Sequence, residues 1–172
     1  NGSDCLTPKG FSLARICIAQ DIVLDVYNVH ATSANSFSGS RARRKNLDQL
    51  ADFIIANSSG KPLIVMGDFN AHYQFHLDNM QEFIKKTQLQ DSWVETILQG
   101  QYPQVDNNYS IVSDLDCTNN DESIDKILYR SSHNLIFRPI DFEIVLNYFK
   151  DVKGQALSDH LAVKSTLEWQ LY

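Results

Sequence analysis

The chain has 172 residues, 43% hydrophobic and 21% charged, the balance of a globular chain able to bury a sizeable core. No apolar run approaches the roughly 20 residues that cross a bilayer, and the polar start Asn1-Gly2-Ser3-Asp4 has the pattern of neither a signal nor a transit peptide, so the chain as it stands reads as soluble. Its 15 Lys and Arg against 21 Asp and Glu give a net charge of −6, which repels polyanions in bulk; a local basic cluster and a bound divalent cation reverse that sign where chemistry happens, so nucleic acid is not excluded as a substrate.

Residues 11–19 and 22–30 are β-rich runs on either side of Gln20-Asp21, which reads as the tight turn of a hairpin. Residues 31–40, rich in Ser, Asn and Gly, form a loop. Over 41–57, Leu47, Leu50, Ala51 and Ile54 fall at i, i+3, i+4, i+7, the spacing of an amphipathic helix. Lys61-Pro62 restarts the chain after Gly60. Leu63-Ile64-Val65-Met66 is then a short unbroken apolar run, as in a strand buried on both faces, and it ends in Gly67-Asp68-Phe69-Asn70. Residues 77–86 and 89–98 read as short helices, 99–121 as a long polar loop, and 124–129, 135–144 and 161–169 as further strands. No repeat or linker divides the chain, so 1–172 is read as one domain or a large piece of one. Strands in hairpins interrupted by two or three helices predict an α/β architecture of mixed sheets packed face to face with helices outside, and a functional centre on loops at strand ends.

Four motifs place polar chemistry at such ends. Val65-Met66-Gly67-Asp68-Phe69-Asn70 stops a strand at a Gly and presents a carboxylate and a carboxamide two residues apart; these are oxygen ligands for a hard divalent ion or groups to hold a water, or else simply an Asx turn. Ala156-Leu157-Ser158-Asp159-His160-Leu161-Ala162-Val163 sets Asp159 and His160 at the mouth of a β-run, where neighbours point to opposite faces. An imidazole beside a metal-binding carboxylate suits proton transfer at ambient pH, and a satisfied structural histidine is the competing reading. Asp125 interrupts the strand start Ile124-Asp125-Lys126-Ile127 and needs a partner, either a histidine to orient or a nearby Lys or Arg. His30 stands at the exit of the second strand, a position where a lone histidine is usually structural.

Among the three cysteines, Cys17 lies in the strand-like run 13–18 and reads as a buried thiol. Cys5 and Cys117 remain as a pair for a bridge between loops. The acceptor triplets at Asn1, Asn57 and Asn108, with that cysteine couple, favour a secreted, extracellular glycoprotein.

In order and rough spacing, the run from Pro8 to Ser33, the Arg-rich helix, GDFN at 67–70, Glu122-Ser123-Ile124-Asp125-Lys126 and Ser158-Asp159-His160 resemble the endonuclease/exonuclease/phosphatase superfamily, the DNase I-like group that includes bacterial sphingomyelinases, and more particularly its secreted fungal members. The resemblance implies a four-layer α/β sandwich of two mixed β-sheets flanked by helices, and a metal-dependent phosphoester hydrolase in which water attacks phosphorus. It implies that Asp68 acts on the attacking water or its metal and that Asn70 binds phosphate. His160 contacts the scissile phosphate as acid or base, Asp125 orients His160, Asp159 coordinates metal, and His30 contacts phosphate or assists the leaving group. Asp68, Asn70 and Asp159 are the implied metal set. Mg²⁺ is expected because the donors are oxygens, with Mn²⁺ or Ca²⁺ able to replace it. Nucleic acid, sphingolipid or inositol phosphate are the implied substrates, and loops decide among them.

The superfamily begins with a strand carrying an Asn and a strand ending in a metal-ligating Glu. Glu82, Glu95 and Glu122 lie in the wrong motifs to supply the latter. The N-terminal part of the fold is therefore expected to be missing, since a complete two-sheet domain runs roughly 200–250 residues; a segment supplying it is the expected partner. An inert binding protein on the same scaffold is the alternative. Arg41, Arg43, Arg44 and Lys45 are read as a solvated helix face rather than a phosphate-steering cluster. His72 and His76 have zinc-like i, i+4 spacing but no third ligand, and Trp93 and Trp169 read as packing residues.

Overall fold

The structure, a computed structural model, describes residues 8–146 and 148–172. Cys5 and the Asn1 triplet lie outside them, so the expected bridge from Cys5 to Cys117 lies outside them too. β1 (Gly10–Ala19) and β2 (Ile22–His30) form the expected hairpin, and α1 (Phe37–Asn57) crosses over to β3 (Leu63–Asp68), which lies parallel to β2. α2 (Met80–Thr87), β4 (Gln90–Asp91) and α3 (Ser92–Thr96) follow, and β5 (Asp125–Arg130) inserts antiparallel between β3 and β4. The resulting mixed sheet has the order β1-β2-β3-β5-β4. β6 (Leu135–Val145) and β7 (Ala162–Leu171) pair antiparallel as a second sheet. The expected α/β sandwich is thus present, with two strands of its second sheet among the described residues.

Alternation along β2 decides which layer packs where. Tyr27 and Val29 point to one face, where Leu47, Leu50, Ala51 and Ile54 of α1 meet them; all four are at most 1% exposed, as their helical spacing predicted. Ile22 and Leu24 point to the other face and pack with Leu135 and Phe137 of β6. α1 begins at Phe37, four residues before the predicted start, because Ser36 caps it by accepting from the Gly39 N–H at 3.2 Å.

Three local expectations change. β3 is buried on its helix face at Leu63 and Val65, but Met66 on the other face is exposed because β6 and β7 do not reach over it. Cys17 is exposed, since it lies on the edge strand β1 beside Val23, itself 39% exposed, and belongs to neither core cluster. Arg43 is not part of a solvated face: it is fully buried, with Nε and Nη2 donating to Asp78 Oδ1 at 2.8 and 2.6 Å and Nη1 donating to the carbonyls of Thr32 and Ala34. Arg44 donates to the Leu77 carbonyl.

Removing one partner of a buried ion pair leaves the other charge uncompensated, which costs roughly 3–5 kcal/mol. Arg43→Ala is therefore expected to lower the unfolding free energy by that amount in urea titrations, while Lys86→Ala, which breaks the exposed pair with Asp52, leaves it near the starting value. Equal effects of the two substitutions would remove Arg43 from its structural role.

Candidate active site

Strand register builds the site. His30 is the cross-strand partner of Asp68, and Asp68 is the partner of Asp125, so three polar side chains from β2, β3 and β5 stand in one row on the same face of the sheet. The row forms because β2 and β3 both end at this level while β5 begins there. At Gly67, φ is +129°, and an added Cβ would lie 2.2 Å from the Val29 carbonyl oxygen, so only glycine lets β3 reach the row.

Asp68 is held from several sides. Its Oδ1 accepts from the Asn70 N–H at 2.8 Å and its Oδ2 from the Asn70 carboxamide at 2.7 Å; Asn70 sits at φ +50° and also donates to the Ala31 carbonyl. The Asx turn and the paired polar groups are thus one structure rather than alternatives. His30 Nε2 lies 3.4 Å from Asp68 Oδ2 and accepts from the Lys9 ammonium at 2.6 Å. Burial, and then the charge of Asp125, raise the Asp68 pKa against the opposing pull of Asn70, His160 and His30.

His160 Nδ1 lies 2.6 Å from Asp125 Oδ2, so Asp125 takes the histidine as its partner rather than a Lys or Arg. Burial disfavours the charged ring, but the hydrogen bond and charge of Asp125, with Asp68 and Asp114 beyond, outweigh it and raise the His160 pKa. Asp159 and His160 precede β7 in an irregular bend, and the expected alternation between opposite faces does not apply: both line the same cavity, with Asp159 exposed and His160 half-buried.

That cavity, of about 730 Å³, is also lined by His30, Asp68, Asn70 and Asp125, so all six residues singled out in the sequence share it. The oxygen donors Asp68, Asn70 and Asp159 have the chemistry of a hard-cation site. Among the described residues, however, no three His, Cys, Asp or Glu side chains converge closely enough to hold a metal ion. They fit part of a coordination shell. The arrangement can do two things unaided: Asp68, of raised basicity, can hold a water, and the Asp125–His160 pair can carry a proton.

Lys9, Ser33 and the connection between β6 and β7 also line the cavity and were missed. Lys9 belongs to the opening motif, but nothing in the sequence near it points to His30, 21 residues away. The connection folds as a small hairpin, with Lys150 paired to Ala156 and Gly154 at φ +78°, and it carries exposed Tyr148, Phe149, Val152 and Leu157. An apolar cluster on a polar loop was its readable signal. His72 and His76 are not on a helix and form no pair; His72 is buried and His76 exposed. Trp93 is core and Trp169 is half exposed.

An α/β sandwich with carboxylate, carboxamide and imidazole groups gathered at strand ends is the frame that the comparisons narrow. No family model matches the chain. A sphingomyelinase of Mycobacterium tuberculosis is 31% identical over 157 residues, 91% of this chain but 30% of the relative's length. The humanized D. rerio TDP2 aligns with TM-score 0.61 at 16% identity, over 92% of this chain and 57% of that one. An endonuclease/exonuclease/phosphatase family protein of Bacteroides thetaiotaomicron aligns with TM-score 0.62 at 18% identity, over 91% and 54%. The chain thus has the fold of these solved structures, one of them an endonuclease/exonuclease/phosphatase family protein. It spans about a third of the curated relative and just over half of these structures.

Asp125→Asn keeps the hydrogen-bonding shape but removes the charge, so the His160 pKa is expected to fall. NMR titration of the His160 ring checks this, and an unchanged titration would uncouple the pair.

Proposed function

We propose that the chain is the catalytic-centre portion of a divalent-metal-dependent phosphodiesterase in which water attacks phosphorus. The observation that carries this reading is the His30–Asp68–Asp125 row with His160 closing on Asp125 over a shared cavity. Asp68 orients and deprotonates the water, Asn70 fixes that carboxylate with its backbone and carboxamide N–H donors, and His160, held by Asp125, exchanges a proton at the scissile ester. His30 and Lys9 face the phosphate on the opposite side. Asp68, Asn70 and Asp159 would hold Mg²⁺, or Mn²⁺ or Ca²⁺ in its place, with donors from outside the described residues completing the shell; the ion supplies neutralisation of phosphoryl charge.

The substrate class follows from the rim. An exposed hairpin with Tyr148 70% and Phe149 64% exposed, flanked by Lys150 and Lys153, suits the interface of a bilayer better than a polyanion groove on a chain of net charge −6. This supports a phosphosphingolipid, the class named by the sphingomyelinase relative, over nucleic acid or inositol phosphate. The face of the first sheet that meets β6 is left open at Ile16 and Met66, and Trp169 and Leu171 of β7 are uncovered as well, all at least 40% exposed. A further segment of the same fold is proposed to cover them and to complete the metal shell. An extracellular setting is supported by Asn108, exposed in its Asn-Tyr-Ser triplet, whereas the Asn57 carboxamide is engaged with the Phe53 carbonyl; a glycan on Asn108 in naturally produced protein would confirm it, and an unmodified Asn108 would remove that support.

The test uses the full natural polypeptide. It is expected to release nitrophenol from bis(4-nitrophenyl) phosphate with Mg²⁺ and not after chelation, and Asp68→Ala or His160→Ala should each lower kcat by about 10²–10⁴. Turnover on sphingomyelin vesicles should fall further for Tyr148→Ser with Phe149→Ser than turnover on the soluble ester. A protein that turns over neither substrate with these residues intact is an inert binding scaffold instead.

A further inference from the structure

His160, Asn70 and Ser33 line a second cavity as well, of about 270 Å³, whose other walls include Asn35, His72, Ile111 and Asp114. His72 is 2% exposed, and its buried Nδ1 has no hydrogen-bond partner among the described residues. A buried polar atom left unsatisfied costs roughly 1–3 kcal/mol, so its place on a polar cavity wall points to something that meets it. Among the described lining residues there is no Lys or Arg to attract an anion, and no three His, Cys, Asp or Glu groups converge to hold a cation. The walls are instead rich in acceptors: the Asp114 carboxylate, the Asn35 carboxamide, and the imidazole. Ile111 narrows one side.

We propose that this cavity is a subsite for a neutral, hydrogen-bond-donating group, a hydroxyl or amide N–H, on the ester arm next to the phosphate. The proposal rests on the phosphodiesterase reading and deepens it. Because His160, Asn70 and Ser33 wall both cavities, a phosphate bound in the larger one places its neighbouring arm at the mouth of the smaller. A site built to accept from a donor rejects an analogue that lacks it far more strongly than an apolar pocket rejects a missing methylene.

The experiment compares kcat/KM of the full natural polypeptide on three probes. These are a short-chain water-soluble sphingomyelin, its 3-deoxy-N-methyl counterpart, which lacks both donors, and bis(4-nitrophenyl) phosphate. The donor-bearing probe is expected to be preferred over its counterpart by at least about tenfold. His72→Phe and Ile111→Trp, the latter at a position 36% exposed and so compatible with folding, should each bring that ratio close to one. A wild-type ratio near one, ratios unchanged in both variants, or losses in both variants equal on all three probes would overturn the subsite. If bis(4-nitrophenyl) phosphate is cleaved while the ratio is one, the subsite falls and the hydrolase reading stands; if no probe is cleaved, the hydrolase reading falls and the subsite with it.

Discussion

Two carboxylates facing each other across neighbouring strands are the constraint to which the rest of the site answers. Register partners on one face have Cβ atoms roughly 5 Å apart, and two full charges at that separation repel by on the order of 3 kcal/mol at an effective dielectric of 20. Asp68 and Asp125 are such a pair, both mostly buried. Each is given its own counter-group: Asp125 the His160 imidazole, Asp68 the two N–H donors of Asn70 and the approach of His30. The repulsion is shared rather than cancelled: burial first and then the charge of Asp125 keep the Asp68 pKa raised, and against its own burial the His160 ring is raised by its bond to Asp125. A site tensioned in this way favours whatever brings positive charge or takes up a proton.

The loops that carry this chemistry are tied down from behind by one side chain. Arg43 donates to the carbonyls of Thr32 and Ala34, just after His30, and to Asp78, whose second oxygen accepts from the His72 N–H just after Asn70. One guanidinium thus joins the segment leaving β2 to the segment leaving β3. Its planar fork of donors suits that task where a lysine would not. The close packing at the start of α1 belongs to the same junction, since a Cβ on Gly39 would lie 2.3 Å from the Ala34 carbonyl oxygen.

Much of this was legible in the sequence, for a physical reason. Strand ends, a helix stripe at 47, 50, 51 and 54, and the placement of Asp68, Asn70, Asp125 and His160 next to apolar runs all follow from local pattern, and local pattern is what a sequence displays. What it does not display is partnership across the chain. Arg43 looks like one of four solvated cations until Asp78, 35 residues later, folds beneath it. Cys17 looks buried because its neighbours are apolar, yet an edge strand exposes what a central strand would cover. The register shift between Pro139 and Asp141 in β6 is another instance: a proline without an N–H cannot keep the ladder regular, but the strand continues past it because the chain on either side pairs with β7.

The open side of the sandwich and the incomplete oxygen shell have one cause under the proposed reading. Met66 lies two residues before Asp68 on the same face, so the surface that is left exposed runs directly into the row of site residues. A strand laid there would bury apolar area at about 25 cal/mol per Å² and would carry its end residue to the level of Asp68, because strands in a sandwich end where their neighbours do. A carboxylate at that end would add a third negative charge to a place that already strains to hold two. It could persist there only with a cation among them, so covering the core and completing the metal site would be one folding event rather than two.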